Sequence, residues 1–215
     1  MSCENTTHSH EHSHSGCEHA HVGKPVADFT AEVYDPEEGF FGEISLEKLR
    51  ADKKWTVLFF YPADFTFVCP TELADLAVKH PGLKEAGVEV LSVSTDTKFT
   101  HMAWKGSERL LENVRYKMVA DPTGKISRYF GVYDHDTGLA LRGTFIINPD
   151  GVLVSSEVNF YNVGRNADEL QRKIEANLYL IDHPAEACPA KWTPGGKTLT
   201  PSEKMVGKVY EALNG

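Results

Sequence analysis

Residues 55–72 read WTVLFFYPADFTFVCPTE. The first seven, Trp55 to Tyr61, form an unbroken apolar run rich in β-formers. Such a run predicts a central strand buried on both faces. Pro62 ends it, and a short loop leads to Cys69, which is followed at once by Pro70. Proline is favoured in the first helical turn, where its missing N–H costs nothing. The spacing therefore places Cys69 in or beside the first turn of a helix. Free backbone N–H groups and the positive end of the helix dipole would both favour thiolate there, and thiolate is the nucleophilic form. Thr66, three residues earlier, brings a hydroxyl within reach of the same sulfur, able to accept from one group while donating to another. Pro62 closes one wall without offering a donor. Taken blind, a lone cysteine is more often a packed core residue; its place directly after a central strand, where α/β sites gather, raises the case for chemistry.

Working outward, strand and helix signals alternate. Leu46 to Asp52 reads as a short helix. After Cys69, Leu73, Leu76, Ala77 and His80 recur at helical spacing, and the helix is expected to stop near Gly82. Val88 to Ser94 is a second buried strand, Lys98 to Lys105 a helix, and Tyr116 to Ala120 a short strand. The turn Asp121-Pro122-Thr123-Gly124 follows, then a helix from Lys125 to Phe130. Gly143 to Asn148 and Val152 to Val158 pair as a hairpin around Asn148-Pro149-Asp150-Gly151. A last long helix begins after Asn166 as N-cap, with Glu169 placed to complete a capping box. Its stripe Leu170, Ile174, Leu178 and Ile181 is expected to be buried. Near the start, Asp28 to Tyr34 and Phe40 to Ile44 flank the acidic turn Asp35 to Gly39. The order β-β-α-β-α-β-α-β-α-β-β-α predicts an α/β sandwich on a mixed central sheet.

Composition bounds the function. The chain has 215 residues, 41% hydrophobic and 25% charged, which suits a globular domain rather than a disordered chain. There are 22 basic residues against 31 acidic, a net charge of −9, which argues against nucleic acid as the partner. No stretch approaches the ~18 apolar residues of a membrane span, and no secretory signal is visible. A cytoplasmic protein is expected, in which four cysteines are reactive or metal-binding rather than structural. Residues 1–22 carry no Lys or Arg and six of the ten His, and they read as a disordered tail. The organisation expected is tail (1–22), catalytic domain (23–182) and C-terminal arm (183–215).

The pattern Pro62-x-x-x-Thr66-x-x-Cys69, inside Phe-Tyr-Pro-x-Asp-Phe-Thr-Phe-Val-Cys-Pro-Thr-Glu, resembles the peroxidatic motif of the peroxiredoxins, typical two-cysteine subgroup. The likeness continues through Asp121-Pro122-Thr123-Gly124, Arg142-Gly143-Thr144-Phe145-Ile146-Ile147, Val163-Gly164-Arg165 and Ala187-Cys188-Pro189-Ala190-Lys191-Trp192. The last of these and the ending from Pro201 look like the bacterial alkyl hydroperoxide reductase C-type branch.

The resemblance implies a thioredoxin-like fold with peroxiredoxin elaborations. It implies that Cys69 is the peroxidatic cysteine, attacking a peroxide to leave water or an alcohol and a sulfenic acid. Thr66 would bridge thiolate and peroxide oxygen. Arg142 would stabilise the thiolate and orient peroxide, and Arg165 would support Glu72 and Arg142. Cys188 would be the resolving cysteine, contributed by the partner subunit of a homodimer and reached after Cys69 unwinds from its helix turn. Five such dimers in a ring are implied as well, with a flavoprotein disulfide reductase or thioredoxin as electron donor. His183-Pro184 and Cys188-Pro189 argue against continued helix, so an exposed, reachable Cys188 is expected. Relatives prone to over-oxidation carry a Gly-Gly-Leu-Gly insertion and a C-terminal Tyr-Phe pair. Here the corresponding stretches are Gly106 to Arg115 and Val209 to Gly215, with neither feature, so resistance to sulfinic acid formation is expected.

Two other readings compete. A thiol–disulfide oxidoreductase on the same fold would want Cys-x-x-Cys, and Cys69-Pro70-Thr71-Glu72 lacks the second thiol. A binding protein would be either a ring-shaped holdase or a metal buffer using the tail, whose residues 8–21 read HSHEHSHSGCEHAH. Imidazole and thiolate suit Zn, Cu or Ni, yet no defined zinc spacing exists, and a merely solvated tail fits equally. No cofactor motif is present, so no bound cofactor is expected.

Overall fold

A computed structural model describes residues 19–214. Seven strands form one mixed sheet in the order β2-β1-β5-β4-β3-β6-β7. They are β1 (Thr30–Asp35), β2 (Phe40–Ser45), β3 (Trp55–Phe60), β4 (Val88–Ser94), β5 (Lys117–Ala120), β6 (Arg142–Ile147) and β7 (Leu153–Asn159). The helices are α1 (Leu46–Ala51), α2 (Cys69–Glu85), α3 (Lys98–Ser107), α4 (Lys125–Tyr129), α5 (Ala167–Asp182) and α6 (Val209–Asn214). The β3–β4 and β4–β5 pairs are parallel, and the others are antiparallel.

Every residue of β3 is buried. Its alternating side chains feed two separate cores, as the two-residue period of a strand requires. Trp55, Val57 and Phe59 join α2, α3 and α5 through Leu73, Leu76, Trp104, Leu170 and Ile174. Leu58 and Phe60 join α1 and α4 through Leu46, Leu49 and Ile126. The expected sandwich is thus present, in the expected element order.

Several local expectations are corrected. Helix α2 does not stop near Gly82 but passes Pro81 and runs to Glu85. An interior proline costs about 3 kcal/mol in an isolated helix, but Leu83 beyond it is buried in the core, and packing outweighs the local preference. The helix ends where Gly87 takes φ +80° and donates to the Lys84 carbonyl. Asn166 does cap α5, accepting from the Asp168 amide. Glu169 makes no capping box: it forms a two-pronged pair with Arg172 at 2.7 and 2.8 Å. Leu170 and Ile174 are buried and Leu178 packs at the core edge, but Ile181 is exposed. Residues 19–22, assigned to the tail, sit on the domain. The Ala20 amide donates to Tyr129 O (2.8 Å), and His19 Nδ1 lies 3.1 Å from Arg128 O. Residues 1–18, with most of the His-rich run read as a candidate metal-binding segment, lie outside the described residues. No helix among the described residues is long and apolar enough to cross a membrane.

Candidate active site

Cys69 is the first residue of α2, with Pro70 in the first turn. The position combines an apolar strand that delivers the chain to one end of the sheet with a proline suited to starting a helix. The N-cap is Val68, which supplies no side-chain cap. The sulfur is fully buried, yet charge lies beside it. Arg142 Nη1 donates to Cys69 Sγ across 3.4 Å, and the same nitrogen donates to Glu72 Oε2. Its Nε donates to the Tyr161 carbonyl at 2.7 Å, which fixes the plane of the guanidinium.

Glu72 lies one turn into α2 and is 3% exposed. Its carboxylate joins two buried arginines, and Arg165 meets it three times: backbone N and Nε to Oε1 at 2.8 Å, and Nη2 to Oε2 at 3.2 Å. Arg165 Nη1 also donates to Gly143 O at 2.8 Å and Thr144 Oγ1 at 3.1 Å, while its guanidinium lies over the Phe59 ring at 3.4 Å. Burial draws the Arg165 guanidinium below its ordinary value, and the Glu72 carboxylate opposes this. Two cations thus share one carboxylate, and of the two Arg142 alone donates to the sulfur.

The glycines beside the two arginines are not equivalent. A Cβ on Gly164 would make only ordinary contact, with Val68 Cγ1 at 3.4 Å and Glu72 Cγ at 3.7 Å. A Cβ on Gly143 would stand 2.7 Å from the Phe145 ring and 2.8 Å from Val132, too close for any side chain.

The structure therefore brings Cys69, Glu72, Arg142 and Arg165 into one hydrogen-bonded cluster. Pro62 is buried just beyond the end of β3. The Thr66 hydroxyl donates to Ala63 O at 2.8 Å rather than to the sulfur, which leaves its lone pairs available. Cys188 is not part of the cluster. It is half-buried, with Sγ 4.0 Å from Ala176 O on α5, so the expectation of an exposed thiol is corrected. The arm that carries it is tied down. Trp192 is buried, donates from Nε1 to Gly196 O (3.1 Å), and packs on Tyr179. Ala187 pairs with Leu199 through two backbone bonds. Burial and the nearby Glu186 push the Cys188 thiol up. Cys69 and Cys188 are both free. A cavity of about 330 Å³ between residues 27–32 and 120–129 contains neither.

Sequence reasoning missed one buried cluster: Tyr61, Asp64 and His101. The Asp64 carboxylate accepts from Tyr61 OH at 2.6 Å and faces His101 Nδ1 at 2.8 Å. Burial pushes the Asp64 carboxyl up against the pull of His101. The only available sequence signal was a carboxylate inside an otherwise apolar loop.

The geometry agrees with the comparisons. A family model described as AhpC/TSA family matches residues 22–156, and one described as the C-terminal domain of 1-Cys peroxiredoxin matches residues 182–212. Alkyl hydroperoxide reductase C of Bacillus subtilis is 50% identical over 188 residues, covering 87% of this chain and 98% of that one. Its counterpart in Staphylococcus saprophyticus is 48% identical over the same shares. The crystal structure of Enterococcus faecalis AhpC matches with TM-score 0.73 and 41% identity, covering 78% of this chain and 98% of that chain. Reduced Plasmodium vivax 2-Cys peroxiredoxin matches with TM-score 0.80 and 35% identity, over 85% of this chain and 94% of that chain. The chain belongs to the AhpC/TSA family: it is a peroxiredoxin, a thioredoxin-like peroxidase that acts through a cysteine thiol. A peroxide substrate and the formation of oligomers come with that family.

Proposed function

We propose that Cys69 is the attacking thiolate. The observation that carries this is the Arg142 Nη1 donor 3.4 Å from a sulfur on the first residue of a helix. The thiolate attacks the terminal oxygen of hydrogen peroxide or an alkyl hydroperoxide. An S–O bond forms as the O–O bond breaks, the sulfur is oxidised to sulfenic acid, and the leaving oxygen departs as water or alcohol once protonated. Negative charge moves from sulfur onto the departing oxygen, so donors fixed along that line stabilise the transition state more than the ground state. Arg142 supplies those donors. Glu72 and Arg165 hold Arg142 in place without reaching the sulfur. Pro62 limits water, and the Thr66 hydroxyl oxygen accepts a hydrogen bond from the incoming peroxide.

Cys188 of the partner subunit then attacks the sulfenic sulfur, releasing water and leaving an intersubunit disulfide. A dithiol donor, either a flavoprotein disulfide reductase or thioredoxin, restores both thiols by exchange. The assembly is a ring of five dimers working in the cytoplasm. The reading is tested by treating reduced protein with one equivalent of hydrogen peroxide, followed by non-reducing electrophoresis and mass mapping. A covalent dimer joined Cys69 to Cys188, absent in Cys69→Ser and in Cys188→Ser, is expected. A dimer joined through Cys3 or Cys17 would assign the resolving role to the N-terminal segment instead.

A further inference from the structure

Between the end of β3 and Cys69 the chain is pinned from within. Asp64 is buried, and it is anchored at three points. Its backbone N–H donates to Asp96 Oδ2 (2.9 Å), Oδ1 accepts from Tyr61 OH (2.6 Å), and Oδ2 faces His101 Nδ1 (2.8 Å). His101, on α3, has no solvent exposure. Its Nε2 lies 3.1 Å from the Val119 carbonyl on β5, which can only accept, so Nε2 carries a hydrogen. One further proton lies between Nδ1 and the carboxylate. Asp96 in turn accepts from Ser94 Oγ at 2.7 Å. One turn along α3, Trp104 packs on Tyr61 and on Phe65, with ring centroids 5.9 and 6.3 Å apart.

The residue after Asp64 shows what the anchoring achieves. Phe65 has φ +55°, the left-handed region that a residue with a Cβ avoids. Such a conformation persists where its surroundings over-determine it. Asp64 fixes the chain on one side, and on the other the Thr66 hydroxyl closes onto Ala63 O at 2.8 Å. None of Tyr61, Asp64 and His101 is hydrogen-bonded to Cys69 or its arginines, so the cluster does not tune the sulfur by contact.

We propose that the buried Asp64–His101 pair is a positioning device for peroxide reduction, holding the loop from Tyr61 to Thr66 so that Pro62 and the Thr66 hydroxyl stand over the Cys69 thiol. The inference rests on Cys69 being the attacking thiolate. It adds α3 and β5, through His101, to the elements that determine the rate. The clamp acts on the peroxide side of the site, so it governs how peroxide is received and leaves the nucleophilicity of the sulfur alone.

The test compares two reactions of Cys69 in the full chain: stopped-flow oxidation by hydrogen peroxide and alkylation by iodoacetamide, with the thermal midpoint as a check on folding. Asp64→Ala removes the clamp. Asp64→Asn keeps it, because the amide donates to a neutral His101 Nδ1 while Nε2–H still donates to Val119 O. Displacing a reacting group by an ångström costs about 100-fold in rate, so Asp64→Ala is expected to lose about that much in peroxide oxidation while Asp64→Asn stays within about threefold of wild type. Alkylation is expected to be unchanged in both. Wild-type peroxide rates in Asp64→Ala overturn the proposal. So does equal loss in Asp64→Ala and Asp64→Asn, which would make charge rather than position the cause, and so does parallel loss of both reactions. Should Asp64→Ala fail to fold, His101→Asn and His101→Gln decide. The shorter amide replaces Nδ1 and keeps Asp64, whereas the longer one replaces Nε2 and releases it, so equal peroxide rates refute the device. A Cys69→Ser chain that still consumed peroxide would refute the underlying reading instead, whatever Asp64 does.

Discussion

The two cysteines of the described structure are held in opposite ways. Cys69 has no solvent exposure, yet a cation donates to its sulfur and a helix begins at its own backbone. Cys188 is half-open to solvent, yet its surroundings favour the neutral thiol: burial and Glu186 push it up, with only Arg172 opposing. Exposure alone therefore does not describe their settings. The comparison teaches that a buried thiol can have a fixed cation against its sulfur while a more accessible one sits where the neutral form is favoured. Under the proposed roles, the first reacts where it stands and the second waits for its arm to release.

Arg142→Lys should break the comparison most severely. A lysine cannot bridge Cys69, Glu72 and the Tyr161 carbonyl from one rigid plane. Loss of a preorganised donor costs about 100- to 1000-fold, so peroxide oxidation of Cys69 followed by stopped flow is expected to fall by that order, with Cys188 labelling unchanged. The reciprocal change is Trp192→Ala. Removing this buried anchor should free the arm and speed alkylation of Cys188 by about tenfold or more, as expected where local opening limits access. The Cys69 oxidation rate should stay at the wild-type value; a parallel fall would show that the arm braces α2 as well.

A third expectation concerns over-oxidation. Tyr210 on α6 is 76% exposed rather than packed over the site, so α6 does not brace the turn that carries Cys69. Mass spectrometry after millimolar peroxide turnover should show disulfide in large excess over Cys69 sulfinate, and rapid conversion to sulfinate would defeat this. The smallest effect is in pH. The packed arm holds the Cys188 proton more tightly than a released arm does, so rising pH favours release, beginning in the range of an ordinary thiol and continuing upward. In a Cys69→Ser chain, iodoacetamide labelling of Cys188 should have its midpoint above that of free cysteine, about 8.5, and Trp192→Ala should bring the midpoint down.

Much of this was legible in the sequence because the signals are local. WTVLFFY can hardly be other than a buried strand, Asn166 is an N-cap by side-chain chemistry, and Cys69-Pro70 marks a helix start. What was not legible depends on partners distant in the chain. Pro81 says stop, and only the pocket that receives Leu83 overrides it. Glu169 is spaced for a capping box, but Arg172 on the same face takes it. Ile181 continues the helical period past the end of the surface that α5 covers. Asp64 and His101 lie far apart in sequence, and no spacing rule links them. The positive φ of Phe65 has no sequence mark at all, since glycine or asparagine would be the expected choice there.

The N-cap of α2 has one more consequence. Val68 occupies a position where serine, threonine, aspartate or asparagine would close onto a free amide, and such a cap is worth about 1 kcal/mol. Its omission raises the equilibrium population of chains with that first turn frayed by about fivefold over a capped counterpart. If Cys69 meets the partner's cysteine as proposed, its departure from the helix is thereby on a shorter timer. Hydrogen exchange should see the same thing without any peroxide present: the amides of the first turn should trade with solvent well ahead of those at Leu76 and Ala77, in the same helix but deep in the core.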